Sequence, residues 1–255
     1  MSQVKVEFHE ADQTKRRLLK AATVGGAAIA IAPGIKLFQT AQAKPDEQAI
    51  TDEKRWGLLI DVNRCADGCN DCVNACQIEN GWGAGSTDEQ LSRADQKAQW
   101  IRKVEVKDPQ TQREFNMPVM CQHCENPPCQ DVCPTGASFR RVDGIVMVDR
   151  HICIGCRYCM MACPYKARSF VHEKLTDQRA HQPRGQGTVE ACTLCAHRID
   201  KDKIPACVES CQHGAMLFGD LNDTNSEISR KLASVQSRQL REDLKLNTGV
   251  RYTGV

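Results

Sequence analysis

Apolar positions along this chain fall in short strand-length runs, some continuous and some alternating, rather than in long helical stripes. From Trp56 it reads WGLLIDVNRC, an apolar strand that delivers a cysteine. Trp100 to Lys107 (WIRKVEVK) alternates, Asp108-Pro109 marks a turn, and Arg113 to Met120 is apolar again, which predicts a β-hairpin. Gly144 to Val148 predicts a further strand. The stretch after Cys76, QIENGWGAGSTDEQLSRADQKAQ, is Gly-rich and polar and reads as a surface loop. Asn225 to Val235 predicts a helix with Ile228, Leu232 and Val235 on one face. An alternating tail follows; residues 223–255 as a whole read as a C-terminal helix and docking tail, the alternative being that the tail packs back on the domain.

A repeat underlies this pattern. CPTGASFRRVDGIVMVD from Cys133, CPYKARSFVHE from Cys163 and CQHGAMLFGDLND from Cys211 each follow a C-x3-C spacing, and each gives a short loop, a small residue and an apolar strand. With the cysteine group at Cys65 to Cys76, the chain has four motifs, which make two pseudo-twofold units, nested 1 with 4 and 2 with 3. The fold class is therefore α+β, with hairpin and loop insertions between the motifs.

Cysteine spacing carries the chemistry. Sixteen cysteines fall into four groups of four. Cys153, Cys156, Cys159 and Cys163, followed by Pro164, form the C-x2-C-x2-C-x3-C-P run of bacterial ferredoxins. Three thiolates on one tight loop can cap three irons of a cubane; the fourth iron takes the last cysteine of a partner motif, so the motifs work in pairs. Cys121, Cys124, Cys129 and Cys133 have a longer middle gap, filled by Asn126-Pro127-Pro128 as a rigid bend, and Pro134 follows. Cys65, Cys69, Cys72 and Cys76 carry one extra residue in the first gap. Cys192, Cys195, Cys207 and Cys211 enclose a hairpin-sized segment, AHRIDKDKIPA. Complete quartets with no cysteine left over imply four 4Fe-4S clusters. A disulfide scaffold does not need clustered C-x2-C runs, and a tetrahedral zinc ion needs neither the third closely spaced cysteine nor the proline.

Composition narrows the picture. With 255 residues, 41% hydrophobic and only 5% aromatic, the ordinary core is small, and ligation free energy must supply much of the folding free energy. Lys15, Arg16 and Arg17 precede a mild apolar stretch and Ala41-Gln42-Ala43, which reads as a twin-arginine-like signal over residues 1–43, with the alternative of a retained anchor. Without those residues 28 basic side chains face 29 acidic ones, a balance that does not suggest nucleic-acid binding.

A few other residues have a definite expectation. His123 lies inside a complete quartet, which points to hydrogen bonding beside a cluster rather than ligation. Lys166 and Arg168 follow Cys163 and would raise a cluster potential if they face it; otherwise they form a solvated loop. His197, Arg198 and the alternating charges to Lys203 read as a charged hairpin tip, solvated or serving as a docking edge. No Ser/His/Asp set or phosphate loop is present, which points to an electron-transfer subunit rather than an autonomous enzyme.

The set CxHCxxPPCxxVCPTGA, DxxxCIGCRYCxxACPYxAR and CTLCxHRI with PACVxxC resembles the four-cluster ferredoxin subunits of the DMSO reductase and NrfC type, over about Trp56 to Asn222. Within them the signal and the LREDL tail are most similar to the DsrO type, periplasmic subunits of DsrMKJOP complexes. The resemblance implies a domain over residues 44–222 with four ligand sets: Cys65, Cys69, Cys72 and Cys211; Cys192, Cys195, Cys207 and Cys76; Cys121, Cys124, Cys129 and Cys163; Cys153, Cys156, Cys159 and Cys133. It implies an NrfD-like (DsrP-like) membrane subunit and a multihaem (DsrJ-like) cytochrome c as partners. Wiring a molybdopterin oxidoreductase of the tetrathionate, polysulfide or DMSO reductase type, or an NrfC-like role in nitrite reduction, is the alternative. The departure from the family is the C-x3-C at Cys65 and Cys69, which puts the first cluster's geometry in question.

Overall fold

The structure, a computed structural model, describes residues 50–83, 92–176 and 178–255. The expected signal segment and the middle of the insertion after Cys76 lie outside the described residues. Strand β1 (Trp56–Asp61) buries Leu58 and Ile60 completely, as its apolar run predicts, and leads into a 3-10 turn at Val62–Arg64 and then helix α1 (Asp71–Asn80). The hairpin forms from β2 (Ile101–Lys107) and β3 (Glu114–Met120), with Ile101 opposite Met120 and Lys107 opposite Glu114. Asp108 closes its turn, accepting from the Gln110 N–H (2.8 Å) and the Thr111 hydroxyl (2.7 Å).

Helix α2 (Pro128–Asp131) opens on Pro128, whose missing N–H is no loss in a first turn. Strands β4 (Ser138–Arg140) and β5 (Val146–Val148) pair antiparallel, then α3 (Tyr158–Ala162) leads to β6 (Arg168–Phe170), which pairs with β7 (Val189–Ala191). Where a charged hairpin was expected between Cys195 and Cys207, the chain instead makes α4 (Ala196–Ile199), a turn and α5 (Ala206–Glu209). Ile199 is buried and Arg198 reaches back to the Ile204 carbonyl, so the segment closes on itself without strand pairing.

Strand β8 (Met216–Asp220) returns beside β1, antiparallel, with Ile60 opposite Met216. Helix α6 (Glu227–Ser234) is capped by the Ser226 hydroxyl on the Ser229 N–H (3.2 Å) and buries Ile228 fully, with Leu232 and Val235 half-buried on the same side. The tail packs back: β9 (Val250–Thr253) adds to the other edge of β1 in parallel, Leu58 beside Val250. Tyr252 is fully buried, donating its hydroxyl to the Pro118 carbonyl (3.1 Å). The Glu125 N–H donates to the Leu246 carbonyl and the Gly249 N–H to that of Gln122, which ties residues 246–249 to the second motif. The tail thus joins the sheet of the outer motifs to the loop of the second.

Candidate metal centres

Each motif enters its cluster loop through the same backbone device. The residue just before the second cysteine has a left-handed φ in all four: Gly68 (71°), His123 (44°), Gly155 (71°) and Leu194 (52°). This turn folds the loop back on itself so that its amides can face the sulfurs. The extra residue of the first motif is absorbed ahead of Gly68, and the left-handed position is kept. At Gly155 a side chain is sterically impossible, since a Cβ would stand 2.2 Å from the Gly187 carbonyl oxygen. A second left-handed position follows three residues after the fourth cysteine in the last three motifs, at Gly136, Lys166 and Gly214, and each N–H returns to the carbonyl of Cys133, Cys163 or Cys211.

Helix packing then brings motifs together in pairs. Helix α1, which carries Cys72 and Cys76, packs on α5, which carries Cys207; α2, with Cys129, packs on α3, with Cys159. Cys76, Cys192, Cys195 and Cys207 line one cavity; Cys121, Cys124, Cys129 and Cys163 line a second; Cys133, Cys153, Cys156 and Cys159 line a third. The remaining four are neighbours as well: burial pushes the Cys72 thiol up to about 11, and the charges of Cys65, Cys211 and Cys69 add to it. Burial likewise pushes Cys124 up to about 12, reinforced by Cys129 and Cys163. Four thiolates in one dry cavity repel each other and lose water, so a bound cationic centre relieves both penalties at once.

The surroundings donate to sulfur. Backbone N–H groups of Ser138, Leu194 and Ala215 point to Cys133 (3.4 Å), Cys192 (3.3 Å) and Cys211 (3.3 Å). Trp82 Nε1 donates to Cys76 Sγ at 3.3 Å, and Asn80 Nδ2 lies 3.5 Å from the same sulfur. Both residues belong to the stretch read from sequence as a surface loop; Trp82 and Asn80 are buried, and an indole among glycines beside a ligand was the available signal. Lys103, on β2, donates to the Ala66 (2.9 Å) and Cys69 (2.6 Å) carbonyls, so the hairpin braces the longer first loop.

His123 is buried, and its Nδ1 accepts from the Val146 N–H at 3.0 Å. Burial, and after it the Arg168 charge, lowers its pKa to about 3, so the ring is neutral with its proton on Nε2. That N–H is buried without a partner among the described residues, as is Arg168 Nη1. These orphaned donors are what a sulfide-rich cofactor would satisfy. Lys166 stays exposed, but Arg168 is buried, with Nη2 3.0 Å from Cys129 Sγ. Burial alone would lower its pKa, yet the charges of Cys129, Cys121 and Cys159 outweigh that and keep the guanidinium charged. Arg168 therefore stands between sulfurs of two quartets. Arg168→Met is expected to lower the midpoint potentials of the two inner clusters in EPR-monitored redox titration, leaving the others in place; an unchanged set of four potentials would dismiss the role.

The sixteen sulfurs and their donor shell fit four cubane clusters. Two family models, each described as a 4Fe-4S dicluster domain, match residues 64–137 and 113–221. The chain is 38% identical to the Hdr-like menaquinol oxidoreductase iron-sulfur subunit 1 of Archaeoglobus fulgidus over 94% of this chain and 97% of that protein. It is 37% identical to a tetrathionate reductase subunit of Salmonella typhimurium, over 87% of this chain and 79% of that one, and 37% identical to the NrfC protein of Escherichia coli K12, over 70% and 71%. The chain therefore belongs to the 4Fe-4S dicluster ferredoxins that serve as iron-sulfur electron-transfer subunits of oxidoreductase complexes, and it carries four 4Fe-4S clusters.

Proposed function

We propose that this chain is the periplasmic relay of a membrane-bound respiratory complex of the DsrMKJOP type in sulfur metabolism, passing electrons along four clusters set in a line. The ligand sets are Cys65, Cys69, Cys72 and Cys211; Cys76, Cys192, Cys195 and Cys207; Cys121, Cys124, Cys129 and Cys163; and Cys133, Cys153, Cys156 and Cys159. The observation that carries the reading is that neighbouring quartets lie close enough for a cysteine of one to act electrostatically on a cysteine of the next. Burial dominates each thiol and groups nearer to it come next, but the Cys72 charge also acts on Cys207, the Cys121 charge on Cys192 and the Cys129 charge on Cys159. In this reading those three links support an unbranched chain of clusters with the first and third motifs at its ends.

The partners in this reading are an NrfD-like, DsrP-like membrane subunit and a DsrJ-like multihaem cytochrome c. Support comes from the near full-length match to an iron-sulfur subunit of a menaquinol oxidoreductase. No helix among the described residues is long and apolar enough to cross a membrane, so the reading gives the membrane crossing to that partner. The match to a tetrathionate reductase subunit favours a second reading, as the wiring subunit of a molybdopterin enzyme. Purifying the native complex and identifying its subunits separates the two: c-type haem and an NrfD-like subunit are expected, and a molybdopterin-bearing subunit would replace the first reading by the second.

Export is tested separately. Replacing Arg16 and Arg17 together by Lys is expected to leave cluster-loaded precursor in the cytoplasm, on the strength of the TKRRLLK run before Ala41-Gln42-Ala43. Fractionation that finds undiminished periplasmic protein would exclude a twin-arginine route.

A further inference from the structure

Outside the cysteine cavities, three segments converge on a group of nitrogen and oxygen donors. Glu79 stands on the last turn of α1, three residues after Cys76. His197 lies on α4, two residues after Cys195. His181 comes from the connection between β6 and β7, in a turn held by Arg179 Nε on the Ile78 carbonyl (3.1 Å). One ligand atom from each of the three lies within 4.8 Å of the other two.

We propose that Glu79, His181 and His197 bind one divalent transition-metal cation of the zinc class. His197 Nε2 is 2.7 Å from Glu79 Oε1; His181 Nε2 is 3.9 Å from the same oxygen and 2.8 Å from the Glu79 backbone carbonyl, a bond it would give up to ligate a cation. In a tetrahedral site with metal–ligand bonds of about 2.0–2.1 Å the ligand edges are about 3.4 Å, so the two separations bracket what a cation needs. The imidazoles already lie together, ring centroids 4.3 Å apart, and His197 Nδ1 is buried, which leaves Nε2 as the nitrogen that can reach a ligand. Arg198 holds the other carboxylate oxygen, Nη1 to Oε2 at 3.0 Å, and so aims Oε1 at the histidines. Its charge is divided with Glu209, which also pairs with it, so it does not fully neutralise Glu79. Two imidazoles and one carboxylate select zinc, nickel or copper over calcium or magnesium. Partial exposure of His181 leaves an entry path and an open coordination position for water. Bound there, the cation would place positive charge beside the cluster cavity of Cys76 and Cys195 and fasten the β6–β7 connection to α1.

The test uses the anaerobic, cluster-loaded full chain dialysed against micromolar zinc. One zinc per chain is expected with iron, labile sulfide and visible absorbance intact, and His181→Ala should weaken zinc binding on the order of tenfold or more without touching the clusters. Zinc should also raise the midpoint potential of one cluster in the parent protein and none in His181→Ala. Absence of zinc uptake, equal uptake by the variant, or uptake that bleaches the clusters would each overturn the proposal. Because cluster content is measured in the same samples, a failed zinc site is distinguishable from a failed relay.

Discussion

Cys211→Ser will damage the same cluster as Cys65→Ser, and Cys163→Ser the same cluster as Cys121→Ser, although the members of each pair stand far apart in the chain. The cause is the packing of α1 on α5 and of α2 on α3, which puts the last cysteine of each motif across from the first three of its partner. Serine is the apt probe, because its oxygen is nearly isosteric but a poorer ligand for iron among sulfurs. EPR spectra of the reduced variants should lose signals in those two groupings. If Cys211→Ser removed the signal that Cys192→Ser removes, each motif would be closing its own cluster and the paired arrangement would be refuted. The damage should also spread to stability, since ligation free energy is folding free energy in a chain with so little aromatic core.

Arg184→Ala will lower the temperature at which the visible absorbance bleaches, by the largest margin of any substitution away from the cysteines. Arg184 and Glu190 form a fully buried bidentate pair, Nε to Oε2 at 2.9 Å and Nη2 to Oε1 at 2.7 Å, and Nη1 donates to the Gly81 carbonyl at the end of α1 (2.6 Å). Removing one partner strands a buried carboxylate and costs about 3–5 kcal/mol. The double variant Arg184→Met with Glu190→Leu should recover part of that loss, because neither member of the pair is then left unpaired, although the largely buried Arg150 loses the favourable Glu190 charge. A single variant that bleaches alongside the parent would show that water reaches Glu190 and that the pair is not dry.

The strands and the hairpin were legible because each is a local pattern: WGLLID declares its burial by a continuous apolar run and WIRKVEVK its strand by alternation, and the loops after Cys133, Cys163 and Cys211 repeat a turn with a left-handed third residue. The donors around the sulfurs were much less so. Arg184 and Lys103 act on backbone brought to them by other segments, and nothing in their immediate sequence marks that; Asn80 reaches Cys76 one turn back on its own helix, which the loop reading hid. Trp82 was obscured by its polar, Gly-rich neighbours. The segment from Ala196 to Pro205 misled for a related reason, since alternating charges resemble a hairpin tip, whereas burial of Ile199 and the bond from Arg198 to Ile204 wind it into helical turns. The extra residue between Cys65 and Cys69 cast doubt on the first motif because spacing counts residues. Backbone geometry counts only the left-handed step before the second cysteine, and Gly68 supplies it.

The nesting of the motifs also sets an order of birth. Every cysteine of the second and third motifs is synthesised before the fourth motif begins, so both inner cavities can close while the chain is still growing. The first motif must wait, its three leading thiols open, until Cys211 arrives. β9 follows every cysteine in the chain, so it covers the second edge of β1 only after all four motifs have been made. A chain lacking β9 would therefore keep its middle and leave β1 unguarded on one edge, so the sheet of the outer motifs is the last part of the described fold to be finished.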